Sequence, residues 1–534
     1  MGALTAILAV TAFILPPVPV WITDNGSKYI IMRTFKEYNT VKLRHNAPQL
    51  APTGGFHIQH HEETLRSFYP EYYPVICSFF YSKNCERAAS VPAIAGTLLC
   101  AYIVLLWTKS KILSSMTAFG TALFFYSFTL WEMTLSCAAI TAAIYLVLKK
   151  RRFLEGGLLM GASIFLREEA YFAVGCLAFS LAVFKEFKSA MLFLAGAVAG
   201  MVPFWIHQYI EFGHIFGLHG KIYLAGTGQQ SAAGILWNYF HHLLRGEPTG
   251  RRFETLFTII PVILMLCSGV TCCKKFKVGA VLAAIVSGFI LLTRYTQCSG
   301  YSYAAACSTG FFAATPVSWL FLADIRNQLF RQGKTYRILA VFVLTALLTV
   351  PAVLTRGDVG LIWSARHFMF LMPVLVILCG KNLKNFSAFT GKQNLVLPVI
   401  LAVFAVTQQA SGIYSLHAVS KECQLLENII RKTDTDIVAS DVFYLPEMTP
   451  RLWFEKTTLD ISKPENIQKI IDIYPQEILV ILSASPQFRR ISNTQLSKFF
   501  QYYTPEKPVF FKLDRGTGFI DLILVKLTAK VKAK

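Results

Sequence analysis

Residues 146–188 read LVLKKRRFLEGGLLMGASIFLREEAYFAVGCLAFSLAVFKEFK, and this stretch decides the fold. Two basic clusters, Lys149-Lys150-Arg151-Arg152 and Lys185 with Lys188, bracket two apolar runs at 153–166 and 169–184. Short basic connections between apolar spans stay on the cytoplasmic side of a membrane. The chain between the two clusters must therefore cross and return. It turns at Arg167-Glu168-Glu169, which places those three charges on the outer side. The first run is shorter than the roughly 17 residues of a straight span, so the charge bias rather than length decides the reading.

The pattern repeats in both directions. Apolar stretches at 3–22, 91–108, 112–130, 132–148, 153–166, 169–184, 189–207, 254–273, 278–293, 304–323, 338–354, 367–380 and 394–409 predict about thirteen spans. Alternate connections are basic: Lys109 and Lys111, then the two clusters above, then Lys274, Lys275 and Lys277. Arg326, Arg331, Lys334 and Arg337 follow, and then Lys381, Lys384 and Lys392, with Glu186 and Asp324 the acids among them. Of 534 residues 54% are hydrophobic and only 15% charged, against about 25% charged in a soluble domain. That composition excludes a disordered chain and argues against a water-soluble one. The formal charge of +21 resides mostly in the basic turns, so it is a topology signal and not a nucleic-acid footprint. The 12 cysteines form no CxxC pair and no zinc-spaced cluster, and Cys77 and Cys85 read either as a free pair or as a disulfide, the free pair being favoured.

The N-terminus is then cytoplasmic and the protein integral to a membrane, its first helix uncleaved for want of a basic leader and a cleavage site. Outside lie a first loop at 23–90, the turn at Trp131-Glu132, the loops 208–253 and 355–366, and everything after 410. The fold class is an α-helical polytopic membrane domain over 1–410, with a small extracytoplasmic α/β domain over 411–534. In that domain β-rich runs at 436–440, 477–482, 509–513 and 518–527 alternate with helical patterns at 416–432, 464–473 and 494–502.

Ionisable residues at the mouths of spans are expensive, and so are functional candidates. Asp24, where the first helix leaves the membrane, reads either as a base made stronger by desolvation or as an N-cap to a helix running through Tyr29, Ile30 and Phe35. Arg167 reads either as a planar fork for phosphate, with Glu169 beside it, or as part of a solvated hairpin tip. Glu132 and the pair Arg366-His367 are interfacial anchors or site residues, and for His367 alone an anchor suffices. His57, His60, His61, Glu62 and Glu63 match no metal spacing and read as a solvated loop. The aromatic, proline-punctuated run from Phe68 to Phe80 suits a segment lying in the interface.

In order and sidedness these residues resemble the GT-C superfamily of integral-membrane glycosyltransferases, the group that includes protein mannosyltransferases and bacterial aminoarabinose transferases. The resemblance rests on Asp24 after the first helix, the Tyr69-Pro70 to Pro74 element and Tyr126-Ser127 to Leu130-Trp131-Glu132. Leu166, Arg167 and Glu169, then Arg366, His367 and Pro373, complete it. It implies inverting transfer of a sugar from a polyprenyl phosphate to an acceptor that is a lipid, a glycan or a protein. Asp24 would be the catalytic base, with Arg167, Arg366 and Lys28 on the donor phosphate. Glu132, Glu169, Tyr69 and His367 would orient those groups or bind acceptor. Asn25 stands where a paired acid would follow Asp24, so no cofactor is fixed by the motif, and a divalent cation stays open without a paired acid to support it. The expected partners are the lipid-linked donor, the acceptor and membrane lipid, and not nucleic acid. Two other functions fit a chain of this kind: a surface-polysaccharide polymerase or ligase, and a lipid-linked glycan transporter or flippase. No internal repeat and no charge far from an interface favours the transporter.

Overall fold

The computed structural model describes residues 1–17, 20, 23–44, 58–61, 64–67, 69–218, 232–244, 255–271, 280, 282–291, 310–316, 318–353, 366–380, 396–442, 444–462, 464–473, 475–484, 491–511 and 521–530. They form two compact units: Met1–Ile14 with Ser90–Ser415, and Leu15–Ala89 with Leu416–Lys534.

Apolar helices build the first unit. Among the described residues five helices are long and apolar enough to cross a membrane: Glu86–Thr108, Met133–Lys150, Phe187–Phe212, Lys334–Val353 and Pro398–Arg431. Six shorter apolar helices accompany them: Gly2–Ile14, Phe153–Phe165, Ala170–Val183, Leu256–Val270, Leu282–Leu291 and Arg366–Gly380. Two stretches expected as spans are broken instead. The 112–130 stretch forms the short helices Lys111–Phe119 and Leu123–Tyr126, interrupted at Gly120 and Thr121. Over 304–323 the described part forms Phe311–Ala314 and Ser318–Ala323. A hydropathy window averages over such interruptions, because alanine, serine and threonine barely lower it. The basic residues Lys274, Lys275, Lys277, Lys381, Lys384 and Lys392, and the 355–365 loop, lie outside the described residues, as do 219–231 and 245–253 of the 208–253 loop.

Two faces of small residues set the closest approach in this unit. Gly157 and Gly161, four apart on one helix, oppose Gly196 and Gly200, four apart on the next. A Cβ at Gly161 would lie 2.0 Å from the Ala197 carbonyl oxygen, and one at Gly196 would lie 2.2 Å from that of Leu154. Among apolar helices in lipid, where no hydrophobic force drives association, such backbone proximity supplies the packing energy. Close approach recurs at Gly96, where a Cβ would lie 2.6 Å from the Leu135 nitrogen, and Thr134 donates to the Ala93 carbonyl at 2.8 Å. These contacts tie the Glu86–Thr108 helix to the start of Met133–Lys150, next to Glu132.

The basic turns gather at one end of the unit. Glu186 accepts from Arg151 at 3.0 Å and pairs with Lys334 at 2.6 Å. Lys149 lies over the rings of Trp107 and Tyr336, and Arg337 over that of Phe184. Lys109, Arg151 and Lys185, at three of these turns, adopt left-handed backbone with φ of 57°, 57° and 58°. There a cation suits the negative end of the preceding helix. Glu132 and Arg151 cap opposite ends of Met133–Lys150. The turns expected on one side of a membrane are thus separated by a helix length from Glu132.

The second unit holds two sheets. Strands β1 (Ile58–His61) and β2 (Thr64–Ser67) form an antiparallel hairpin, so part of the histidine-rich stretch is strand and not loop. The side chains of His60 and His61, and residues 57, 62 and 63, lie outside the described residues. The aromatic run contains the helix Tyr72–Phe80, which leaves Phe79 and Phe80 exposed. The larger sheet contains β3 (Ile437–Ser440), β4 (Thr457–Asp460), β5 (Glu477–Ser483), β6 (Tyr503–Pro505), β7 (Val509–Phe511) and β8 (Leu522–Ala529). Their order is β4-β3-β5-β8-β6, with β7 also on β8; β3 is parallel to β4 and β5, and β8 is antiparallel to its neighbours. The helices Pro464–Ile473 and Asn493–Tyr502 bury Ile467, Ile470 and Phe499 with Ile478, Val480 and Leu527 of the sheet. Asn493–Tyr502 starts in a capping box between Ser492 and Gln495.

The glycine faces make a prediction about stability. Gly161→Ala forces two backbones apart and should destabilise the detergent-solubilised protein by about 1–3 kcal/mol. At Gly175 a Cβ meets nothing within 4 Å, so Gly175→Ala should be neutral or stabilising by up to about 1 kcal/mol. Thermal unfolding of the two variants side by side checks this; equal melting temperatures would contradict the packing account.

Candidate active site

In the first unit three helix beginnings converge. Glu132 occupies the cap position of Met133–Lys150 and Glu169 that of Ala170–Val183, while Arg366 opens the 3₁₀ turn Arg366–Leu371. Carboxylates at helix N-termini are stabilised by the unpaired amides and the dipole there. Arg167, in the turn between Ser163–Phe165 and Ala170–Val183, joins both carboxylates. Its Nη1 donates to Glu132 Oε1 at 2.9 Å, and its Nε donates to Glu169 Oε2 at 2.7 Å. Its Nη2 also donates to Glu169 Oε1, which completes a bidentate fork. The hairpin tip is buried rather than solvated: the side chains of Arg167, Glu132 and Glu169 are 15%, 8% and 11% exposed.

The chain of contacts continues through His367, whose Nδ1 lies 2.9 Å from Glu169 Oε1, to the Nε of Arg366, 3.4 Å from His367 Nε2. A carboxylate can only accept, so Nδ1 carries the proton. Nε2 then accepts from Arg366, which makes the imidazole a neutral Nδ1–H tautomer that orients a guanidinium. Burial alone would raise the Glu169 pKa, but the Arg167 charge and the His367 hydrogen bond outweigh it and hold the carboxyl well below the usual range.

One member of this cluster escaped the reading of the sequence. His242 is buried in the single π-helical turn Phe240–Leu244, its ring centroid 6.3 Å from that of His367 and nearly perpendicular to it. Short π segments are frequent at functional sites. The available signal was the His241-His242 pair in an otherwise apolar stretch.

Asp24, Lys28 and Tyr69 belong to the second unit. Asp24 lies in the first turn of Thr23–Tyr38 and is buried, as are Asn25, Gly26, Ser27 and Lys28. The Lys28 ammonium lies 4.9 Å from the centroid of the Tyr69 ring, which joins two of the expected site residues. Further along the same helix, Tyr29 donates to Glu86 at 2.8 Å. Glu86 in turn accepts from Arg451 at 2.5 Å, and Arg451 also pairs with Glu427 at 2.8 Å. Burial and the Glu86 carboxylate raise the Tyr29 pKa far above its ordinary value, so it remains a donor. Among the described residues, no group of three or more His, Cys, Asp or Glu side chains is arranged to hold a metal ion.

No known family profile matches the chain, and no curated protein matches it in sequence. The fold, by contrast, has solved counterparts. Two solved structures carry the likeness, both of ArnT from Cupriavidus metallidurans. One is bound to undecaprenyl phosphate, with a TM-score of 0.53, and the other is in the apo state, with a TM-score of 0.54. Each is 10% identical to this chain, and each alignment covers 98% of it and 97% of the solved chain. At that identity the likeness is one of fold, and it extends over nearly the whole protein.

The ion cluster predicts a non-additive response. Arg167→Met alone strands two buried carboxylates and should cost about 3–5 kcal/mol, whereas combining it with Glu132→Gln and Glu169→Gln should recover much of that loss. Because the Glu169 pKa is depressed by folding, its stabilisation is present above about pH 4.3 and is lost as pH falls through its lower folded value. Melting temperatures from pH 7 down to pH 3 should fall less in Glu169→Gln than in the wild type. Parallel curves would show that the carboxylate is not ion-paired.

Proposed function

We propose that this protein is an inverting glycosyltransferase that moves a sugar from a polyprenyl-phosphate donor to an acceptor hydroxyl on the outer face of the inner membrane. The observation that carries the proposal is the buried Glu132–Arg167–Glu169–His367–Arg366 chain at converging helix N-termini, in a fold shared with an ArnT structure bound to undecaprenyl phosphate. In this reading the end of the first unit that carries the basic turns faces the cytoplasm, as does the N-terminus. The opposite end and the C-terminal α/β domain face outward.

The chemistry follows from the charges. As the acceptor oxygen attacks the anomeric carbon, the buried Asp24 takes its proton. The glycosidic bond to the lipid phosphate breaks on the opposite side of the ring, and charge grows on the leaving phosphate. Cations that meet that charge stabilise the transition state more than the ground state. Arg366 is assigned this contact. Arg167, forked onto Glu169, supplies a fixed charge behind it, and Lys28 is a third cation for the donor. Glu132 and Glu169 hold Arg167, while His367 orients Arg366 and Tyr69 faces Lys28. Asn25 after Asp24 gives no second acid, and no divalent cation is needed in the scheme.

Protein reconstituted in nanodiscs and given a panel of synthetic undecaprenyl-phosphate-linked sugars tests the reading through release of undecaprenyl phosphate. Asp24→Asn should lower turnover by about 100-fold or more while the protein stays folded and inserted. Arg366→Met should lower it by a comparable factor. Near-normal turnover in Asp24→Asn would remove Asp24 as the base.

A further inference from the structure

We propose that the turn Leu445–Met448 is a positioning element for Asp24, acting through contact between the Glu447 main chain and Gly26; this rests on the reading of Asp24 as the base. Gly26 lies two residues after Asp24, inside the Thr23–Tyr38 helix, where glycine costs about 1 kcal/mol relative to alanine. Its packing explains its presence. A Cβ at Gly26 would lie 1.6 Å from the Glu447 carbonyl oxygen and 2.5 Å from its carbon, the tightest such contact among the described glycines. No side chain fits there, and the helix can take its place only because position 26 is bare.

The turn that makes this contact is itself anchored. Leu445, Glu447 and Met448 are buried, and Arg451, just beyond, pairs with both Glu86 and Glu427. Tyr29, three residues after Gly26 and so on the same face of the helix, donates to that same Glu86. Just before the helix, the Val20 carbonyl accepts from Ser420 at 3.1 Å. The first turn of the helix, with Asp24 in it, is therefore held at three points. Ser420 and Glu447 make two of them directly, and Arg451 takes part in the third through Glu86. The segment after residue 415 thus acts on the reaction without touching substrate, by setting where the base stands. A misplacement of about 1 Å of a reacting group costs about 100-fold in rate.

The full-length protein tests this with two variants and two readouts. Gly26→Ala should lower kcat by about 100-fold on whichever panel donor turns over, with KM changed by no more than about twofold. In the substrate-free protein it should speed amide hydrogen exchange at 23–30 and 444–449, and leave the Met133–Lys150 helix unchanged. Tyr29→Phe preserves volume and removes one hold, so it should move both readouts the same way by a smaller factor. It decides the matter if Gly26→Ala does not accumulate folded. Wild-type kcat in Gly26→Ala, unchanged exchange at 23–30, or faster exchange throughout the protein would each overturn the proposal. An inactive Asp24→Asn beside a normal Gly26→Ala would remove the positioning role and keep the base. An active Asp24→Asn would remove the base, and the exchange result would still decide whether the turn holds the helix.

Discussion

A guanidinium taken out of water must be paired, and Arg167 is paired twice. Glu132 and Glu169 come from different helices, and each stands at a helix N-terminus that favours its negative charge. The cluster therefore ties together the starts of two helices, the turn that leads into the second of them and, through His367, the start of a further one. Removing Arg167 leaves both carboxylates without their buried partner. That pairing makes the arrangement rigid, and under the proposed function its rigidity is what aims Arg366.

The packing below the cluster serves the same end. Four glycines bring Phe153–Ala162 and Phe187–Phe212 to backbone contact, so the hairpin that carries Arg167 rises from a closely packed base. Gly96 and Thr134 do the same for the helix that begins at Glu132. At the far end, Glu186 collects Arg151 and Lys334 and closes the basic turns together. The first unit thus carries a basic end and a mixed-charge end, about 18 helical residues apart along Met133–Lys150.

Much of this was legible in the sequence, because it follows from charge and hydropathy along the chain. The parity of the basic turns puts Asp24, Glu132, Arg167 and Arg366 on one side; the last three, with Glu169 and His367, are neighbours in the first unit, and Asp24 belongs to the second. What each side chain does there was not legible. Nothing in Leu166-Arg167-Glu168-Glu169 says that the Arg167 fork is taken up by its own neighbour and by a carboxylate 35 residues earlier. His242 joins the cluster from a loop that hydropathy treats as featureless. Strands β4 and β6 lie outside the β-rich runs that the sequence shows. The pairing of Glu86 with Arg451 spans 365 residues, and hydropathy reports the side of a membrane a loop occupies, not which loops pack together. The short contact at Gly26 was invisible for the same reason, since its partner is a main-chain carbonyl that any residue would supply.

The central claim is that the Glu132–Arg167–Glu169–His367 chain exists to present Arg366 to a lipid phosphate. A cryo-electron microscopy structure of the full chain with undecaprenyl phosphate tests it most directly. The account predicts phosphate density within about 3 Å of the Arg366 guanidinium, with Arg167 still forked onto Glu169. Phosphate density at a place that no guanidinium of this cluster reaches, or an Arg167 that abandons Glu169 to bind it alone, would contradict the account.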